Sequence, residues 1–250
     1  MPRELTVSQA VALGALHGPA ELLPVSSSAH IALVPALLGW PRMAPELEKA
    51  FEVALHAGTL GGLAVLVPWP SLPLALLATA PSAVAGLTLE KPIERRLGGP
   101  RATAAGLVAG SLAMLLADRR ATGERVASDA TIGDALALGA AQACALWPGV
   151  SRLGLTLAAA RARGFSRPAA FALARTVGLP VVAGATALKG VRLAQSPPPP
   201  AVRRAFAAGM VAACASTLAA APLRRVTAVA PWAAERVVLA ALAVRRSSAR

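Results

Sequence analysis

Residues 8–40 read SQAVALGALHGPAELLPVSSSAHIALVPALLGW, an apolar segment long enough to cross a bilayer but interrupted in its middle. The interruption, HGPAELLPVSSSAH at residues 17–30, contains Pro, Gly, a carboxylate, three hydroxyls and two imidazoles. Irregular backbone at membrane depth is tolerated only where protein buries it or where it lines a wet cavity. The segment therefore predicts a re-entrant or discontinuous helix beside a polar pocket.

A second apolar segment, residues 132–160, is interrupted in a similar way by WPGVSR at residues 147–152. LGALH at 13–17 can be laid over LGAAQ at 138–142, which places His17 opposite Gln142. A proline follows in both segments, and then Ser26 in the first and Ser151 in the second. Broken segments at corresponding positions of two halves indicate an inverted repeat with its site at the repeat interface. We place the two repeats at approximately residues 1–120 and 125–250.

The rest of the chain is apolar enough to be an integral membrane protein. Hydrophobic residues make up 56% and charged residues 15% of the 250 residues, and the mean hydropathy is +0.59. Ala and Leu dominate the apolar stretches and no period-two alternation is present, so helices are predicted. Six full spans are expected, at residues 51–67, 72–89, 102–117, 171–188, 205–221 and 226–244. The predicted fold is an all-α polytopic membrane domain over residues 1–250, with about six transmembrane helices and two re-entrant segments.

The net charge of +13 would suggest nucleic acid in a soluble protein. Here aromatic residues make up only 3%, Tyr is absent, and the basic residues punctuate apolar segments. We therefore expect anionic lipid headgroups as the counter-charge and no nucleic acid as a partner. Basic residues occur in nearly every loop, so the positive-inside rule does not decide the orientation.

The first interruption carries the richest chemistry in the chain: Glu21, the serines Ser26, Ser27 and Ser28, and His30. Ionisable groups inside a membrane segment are costly, which makes them functional candidates by default. The structural alternative is that a serine caps a helix after the Pro break and that Glu21 pairs with an arginine. One cap needs one hydroxyl, whereas this segment offers three and an imidazole.

The second interruption predicts a phosphate-binding cradle at a helix N-terminus. Glycines at 149 and 154 permit close approach of an oxyanion, and the Ser151 and Thr156 hydroxyls are donors. Arg152 adds a planar fork that matches phosphate oxygens. The alternative is that Arg152 only pairs with Glu21, and the two interpretations are compatible. Together the clusters predict phosphoryl transfer on a lipid phosphate, because the walls are apolar. The residues expected to form this cradle are Gly149, Ser151, Arg152, Gly154 and Thr156.

These residues resemble the motifs of the bacterial undecaprenyl-diphosphatase family, also called bacitracin-resistance protein. That family carries E/Q-G-x-x-E, then LPVSS[ST]GH and later PG[TV]SRSG[AS]T. The corresponding stretches here are HGPAE at 17–21, LPVSSSAH at 23–30 and PGVSRLGLT at 148–156. FEVALHAGTL at 51–60 resembles the block F-x-V-x-x-Q-x-G-A, and FSRPAA at 165–170 resembles a further block. The resemblance covers most of the chain in order and spacing.

The resemblance implies hydrolysis of undecaprenyl (polyprenyl) diphosphate to the monophosphate and inorganic phosphate. This reaction recycles a carrier lipid for cell-wall synthesis in the bacterial plasma membrane, which the protein would cross several times. It implies that Glu21 binds a divalent cation, Mg²⁺ or Ca²⁺, or activates water. It further implies that Ser27 faces the phosphorus, that His30 transfers a proton, and that Arg152 with Ser151 and Thr156 holds the diphosphate. The oligomeric state stays open, with a homodimer as one expectation.

The sequence departs from the family pattern where the site is expected. His17 replaces Glu or Gln, Leu153 replaces a serine, and His56 replaces a glutamine. His17 can keep a hydrogen bond or a cation ligand but cannot supply a carboxylate charge. Two alternatives to hydrolysis therefore stay open: a lipid-phosphate transporter or flippase using the same pocket, and a catalytically inactive family member.

Overall fold

The structure is a computed structural model that describes residues 5–40, 43–195 and 197–248. Over these residues it is helical, without strands, which confirms the all-α prediction. Short 3₁₀ turns lie at Ala127–Asp129 and Ala221–Arg225. The helices are α1 Val7–Leu22, α2 Ser27–Leu37, α3 Pro45–Leu66, α4 Leu72–Leu97, α5 Pro100–Arg120, α6 Ile132–Cys144, α7 Arg152–Ala162, α8 Arg167–Gln195, α9 Pro200–Ala219 and α10 Ala230–Ser248.

Each predicted span falls on one of the long helices α3, α4, α5, α8, α9 and α10. Three of them, α4, α5 and α8, are long and apolar enough to cross a membrane. Only 11% of the apolar window of α4 is buried inside the protein. Its large side chains, such as Leu72 and Leu76, are exposed, as expected for a surface that lipid covers. The protein is therefore an all-α membrane protein. The other three long helices carry charged residues among their apolar ones: Glu46, Glu48, Lys49 and Glu52 in α3, Arg203 and Arg204 in α9, Glu235 and Arg236 in α10.

Both interrupted segments are discontinuous helices, as predicted. The first breaks between α1 and α2, and the second between α6 and α7. In each, the residue before the second helix is a serine with positive φ, Ser26 at 74° and Ser151 at 68°. This left-handed conformation is uncommon for residues other than glycine, and it turns the chain sharply between the two helices. The two serines that the sequence aligned thus adopt the same strained backbone.

The two halves also pack in corresponding ways. Helix α1 packs on α9, and α6 packs on α4; α3 packs on α9, and α8 on α4. Glycines permit the contact of α1 with α9 and the contact of α6 with α4. A Cβ on Gly14 would collide with the Gly209 carbonyl oxygen, and a Cβ on Gly139 would lie 2.8 Å from the Ala78 carbonyl oxygen. This correspondence agrees with an inverted repeat, while the repeat boundaries stay a prediction.

Ion pairs fix the connection that leads into α6. Asp134 lies 2.6 Å from Arg125 Nη2 and 2.7 Å from Arg163 Nε, and its carboxylate also accepts from the Thr131 backbone. The hydrogen bonds to Asp134 raise the pKa of the partly exposed Arg125 guanidinium above its ordinary value. The start of α6 is thereby tied to the end of α7, so the second broken segment is held at both ends.

Candidate active site

The two broken segments meet through one ion pair. Arg152, the first residue of α7, places its Nη2 atom 2.8 Å from Oε2 of Glu21 in the last turn of α1. The Glu21 side chain is buried and Arg152 is partly exposed. The Arg152 guanidinium lies against Gly178 of α8, where any side chain would collide with it. The expected contact between the two interruptions is confirmed.

A serine hydroxyl lies against the same carboxylate. Ser27 begins α2, and its Oγ donates a hydrogen bond to Oε1 of Glu21. The positive φ of Ser26 turns the chain so that Ser27 faces back toward the end of α1. The Ser26 and Ser28 hydroxyls lie 3.4 Å apart beside it. Glu21 therefore binds a hydroxyl on one oxygen and a guanidinium on the other, an arrangement found where a carboxylate orients a nucleophile.

Two histidines surround Glu21. His17 lies one helical turn before it on the same face of α1, and His56 of α3 packs edge-on against His17 with ring centroids 4.7 Å apart. His56 Nε2 is 3.6 Å from Glu21 Oε1, while Nδ1 donates to the Glu52 carbonyl oxygen at 2.9 Å. His17 is fully buried, and neither of its ring nitrogens has a hydrogen-bond partner among the described residues. Leaving a buried polar group unpaired costs about 1–3 kcal/mol, so this arrangement needs an explanation.

His56 was not among the expected site residues. The signal was available in the sequence, because the histidine stands where the quoted motif has glutamine. Residues 17 and 56 are far apart along the chain, so the sequence does not show that the two histidines are in contact.

Both ring nitrogens of His30 have partners in the structure, and its role in proton transfer stays a prediction. Its Nδ1 donates to the Ser26 carbonyl oxygen at 2.8 Å, and its Nε2 lies 3.0 Å from Oε1 of Glu235 on α10. It does not line the cavity described below. His30 thus fastens the turn at Ser26 to α10, and Glu235 is a partner that sequence reasoning missed.

The second interruption uses its polar groups mainly for its own backbone. Ser151 Oγ accepts from the Gly154 backbone N–H at 3.1 Å and caps α7. Thr156 Oγ1 donates to the Arg152 carbonyl oxygen at 2.8 Å. Gly149, with φ at 92°, and Ser151 line the cavity, whereas Gly154 and Thr156 do not. The Thr156 hydroxyl is bonded to its own helix and Gly154 packs against Met114 and Arg236, so the role of these two residues in the cradle stays a prediction.

Gln142, the counterpart of His17, bridges three helices. Its Nε2 donates to the Ala78 carbonyl oxygen of α4 at 3.0 Å and to the Val177 carbonyl oxygen of α8 at 3.3 Å. It is buried and lies along the cavity wall. Both N–H groups of its side-chain amide are thus bonded to helices of the cavity wall, and neither is directed at a ligand.

A buried arginine joins the two breaks. Arg236 of α10 is 0% exposed and donates to the carbonyl oxygens of Pro24 at 3.2 Å, Gly149 at 2.9 Å and Val150 at 2.8 Å. These carbonyls lie in the two interruptions, where helical hydrogen bonding is lost. Sequence reasoning missed Arg236, although an arginine beside a glutamate inside an apolar span is itself a signal.

A cavity of about 620 Å³ lies next to the Glu21 carboxylate. Glu21, Ser27, His56 and Arg152 contribute to its lining, next to apolar side chains. A cavity with convergent polar groups and apolar walls suits an amphipathic ligand with an anionic head. Its apolar lining includes Leu87, Leu146, Val181 and Leu188, and its charged lining includes Glu48, Glu52, Glu90, Lys91, Glu94, Lys189 and Arg192.

Known proteins resemble this chain over most of its length. The family model described as bacitracin resistance protein BacA matches residues 10–242. The undecaprenyl-diphosphatase of Geobacter sulfurreducens is 38% identical over 235 residues, covering 85% of this chain and 86% of the relative. The undecaprenyl-diphosphatase of Pelobacter propionicus is 35% identical and covers 83% of this chain and 83% of the relative. That of Thermomicrobium roseum is also 35% identical and covers 84% of this chain and 85% of the relative. The chain belongs to the bacitracin resistance protein BacA family.

Proposed function

We propose that this protein is an undecaprenyl-diphosphate phosphatase, which hydrolyses the polyprenyl diphosphate to the monophosphate and inorganic phosphate. It would recycle the carrier lipid for cell-wall synthesis from within the bacterial plasma membrane. The observation that carries the proposal is the Ser27–Glu21–Arg152 contact at a cavity with apolar walls. Family membership and the names of the relatives support the same activity.

Arg152 is placed to bind the diphosphate. Its guanidinium is partly exposed to the cavity, and only one of its two terminal nitrogens, Nη2, is bonded to Glu21. A guanidinium presents a planar fork of donors to phosphate oxygens and does not lose its charge. Ser26, Ser28, Gly149 and Ser151 line the same cavity and would contact the remaining oxygens.

Ser27 is the proposed nucleophile. Its oxygen attacks the terminal phosphorus, its proton passes to Glu21, and the anhydride bond to the lipid monophosphate breaks. Water then hydrolyses the phosphoserine, which releases inorganic phosphate and restores the hydroxyl. Arg152 neutralises the charge that develops on the phosphoryl oxygens. Because His30 is engaged with Glu235 outside the cavity, we assign it to holding the turn at Ser26.

The residues present fit a divalent cation next to this pair. His17, Glu21 and His56 offer one ligand atom each, and these atoms lie within 4.8 Å of one another. One of the two unpaired nitrogens of buried His17 fits such a ligand role. A cation held there would neutralise charge on the diphosphate.

The test is release of phosphate from undecaprenyl diphosphate by the purified full-length protein in detergent. The wild type should release phosphate and Ser27→Ala should not, while a matched control, Ser111→Ala, should stay active. Ser111 is also buried, but its hydroxyl donates to its own helix at the Leu107 carbonyl oxygen. Full activity of Ser27→Ala would overturn the role of Ser27. Movement of the lipid across vesicles without phosphate release would favour a transporter.

A further inference from the structure

Glu21 and its two neighbouring histidines offer three ligand atoms that are suited to a particular class of metal ion. Two are imidazole nitrogens, from His17 and His56, and only one is a carboxylate oxygen. Imidazole favours zinc and related transition metals, whereas Mg²⁺ and Ca²⁺ prefer oxygen ligands and usually retain water. A set of two histidines and one glutamate is a known catalytic zinc arrangement, in which a fourth position stays open.

The geometry of His56 points in the same direction. Its Nδ1 faces a carbonyl oxygen, which cannot donate, so Nδ1 carries the proton. In a neutral ring Nε2 then presents a lone pair, and this atom lies 3.6 Å from the Glu21 oxygen Oε1. Two acceptors so placed repel unless a cation or a proton lies between them. Metal-bound histidines characteristically donate their second N–H to a carbonyl or carboxylate, as His56 does here.

The separation between His56 and Glu21 is close to that which a metal requires. Two ligands at about 2.1 Å from a tetrahedral zinc lie ~3.4 Å apart, near the observed 3.6 Å between His56 and Glu21. His17, at i−4 from Glu21, completes the cluster within 4.8 Å. Its full burial without a hydrogen-bond partner is an independent sign of a missing ligand, and a metal bond would occupy one of its two ring nitrogens. Glu21 and His56 also line the cavity, so a fourth position would face the ligand.

We propose that His17, Glu21 and His56 form a site for a transition-metal ion such as Zn²⁺, in preference to Mg²⁺ or Ca²⁺. Both histidines replace the oxygen or amide side chains of the quoted motifs, which gives the site its nitrogen character. The site uses Glu21 of the proposed function, but metal binding is measured independently of phosphate release.

The experiment measures metal binding by the full-length protein in detergent after treatment with a chelator. The protein is titrated with Zn²⁺, Mg²⁺ and Co²⁺, with metal content per chain and the visible spectrum of bound Co²⁺ as readouts. We expect one Zn²⁺ per chain, bound much more tightly than Mg²⁺, and a Co²⁺ spectrum typical of nitrogen ligands. Loss of an outer-shell partner weakens metal binding ~10–100-fold, so His17→Ala and His56→Ala, which remove ligands, should weaken it more.

His30→Ala is the matched control, because His30 is the remaining histidine of the chain and lies outside the cluster. It should bind Zn²⁺ as the wild type does. Should the alanine variants fail to fold, the double variant His17→Glu, His56→Gln restores oxygen and amide donors and should lose the preference for Zn²⁺ over Mg²⁺. Zn²⁺ binding by the wild type no tighter than that of Mg²⁺, or unchanged in both histidine variants, would overturn the proposal and favour a protonated His56 paired with Glu21. Normal Zn²⁺ binding without phosphate release would overturn only the proposed function.

Discussion

The two helix breaks share a backbone shape but use their polar side chains differently. Ser26 and Ser151 both have positive φ before a short helix. Ser151 caps its helix, and Thr156 bonds to the same helix. Ser26 makes no side-chain cap within the described chain, and the adjacent Ser27 donates to Glu21 instead. The second break satisfies its own backbone, while the first break leaves its hydroxyls directed at the carboxylate and the cavity.

This difference indicates how a repeated fold acquires one site. Each half supplies the same strained turn, but only the first supplies a carboxylate with a hydroxyl, and only the second supplies Arg152. Arg236 joins the two turns through their carbonyl oxygens. The site thus depends on the contact between halves, and each half alone would leave its polar groups exposed to lipid at a cost.

The largest expected effect is loss of the side chain that pairs with Glu21 across the two halves. Arg152→Ala should reduce phosphate release by about 10²–10³-fold, the usual cost of removing a donor that stabilises transition-state charge. Arg152→Lys should also be strongly impaired, because an ammonium cannot form the two-pronged contact. Arg120→Lys, at an exposed position, is the control. Near-normal release by the Arg152→Lys variant would show that charge alone suffices.

Removing Arg236 should destabilise both breaks without altering the cavity groups directly. Arg236→Met leaves three buried carbonyl oxygens without this donor, so we expect a loss of about 3 kcal/mol, at about 1 kcal/mol each. The measurement is the thermal unfolding midpoint in detergent, with exposed Arg245→Met as the control. Equal midpoints for the two variants would contradict the joining role.

The two aligned serines should respond differently to the same change. Ser151→Ala removes an N-cap and should cost about 1 kcal/mol of stability. Ser26→Ala should cost less, because the Ser26 hydroxyl caps nothing and only neighbours Ser28. Unfolding midpoints of the two variants test this, and an equal loss would mean that the breaks are not differentiated in the way described.

The smallest effect is expected at Thr156. Its hydroxyl bonds to its own helix and does not line the cavity. Thr156→Val should therefore change phosphate release by no more than about twofold, within the range of an ordinary substitution away from the site. The assay is the same as for Ser27→Ala. A loss comparable to that of Arg152→Ala would return Thr156 to the phosphate cradle expected from the sequence.

The sequence by itself determined the helix breaks and the apolar spans. Both are local properties: Pro, Gly and clustered hydroxyls interrupt a helix wherever it packs, and an apolar run of sufficient length excludes water along its whole extent. The alignment of Ser26 with Ser151 was visible for the same reason, and the ion pair between Glu21 and Arg152 was foreseen as one alternative.

Only the tertiary structure decided which partner each polar side chain takes. His30 pairs with Glu235, and Arg236 donates to carbonyl oxygens of both breaks. His56 lies next to Glu21 and packs against His17. These partners lie on helices distant along the chain, and their identity depends on which helix packs opposite. A hydroxyl such as that of Thr156 can bond to its own backbone or to a ligand at similar cost, so its direction follows from packing and not from residue type.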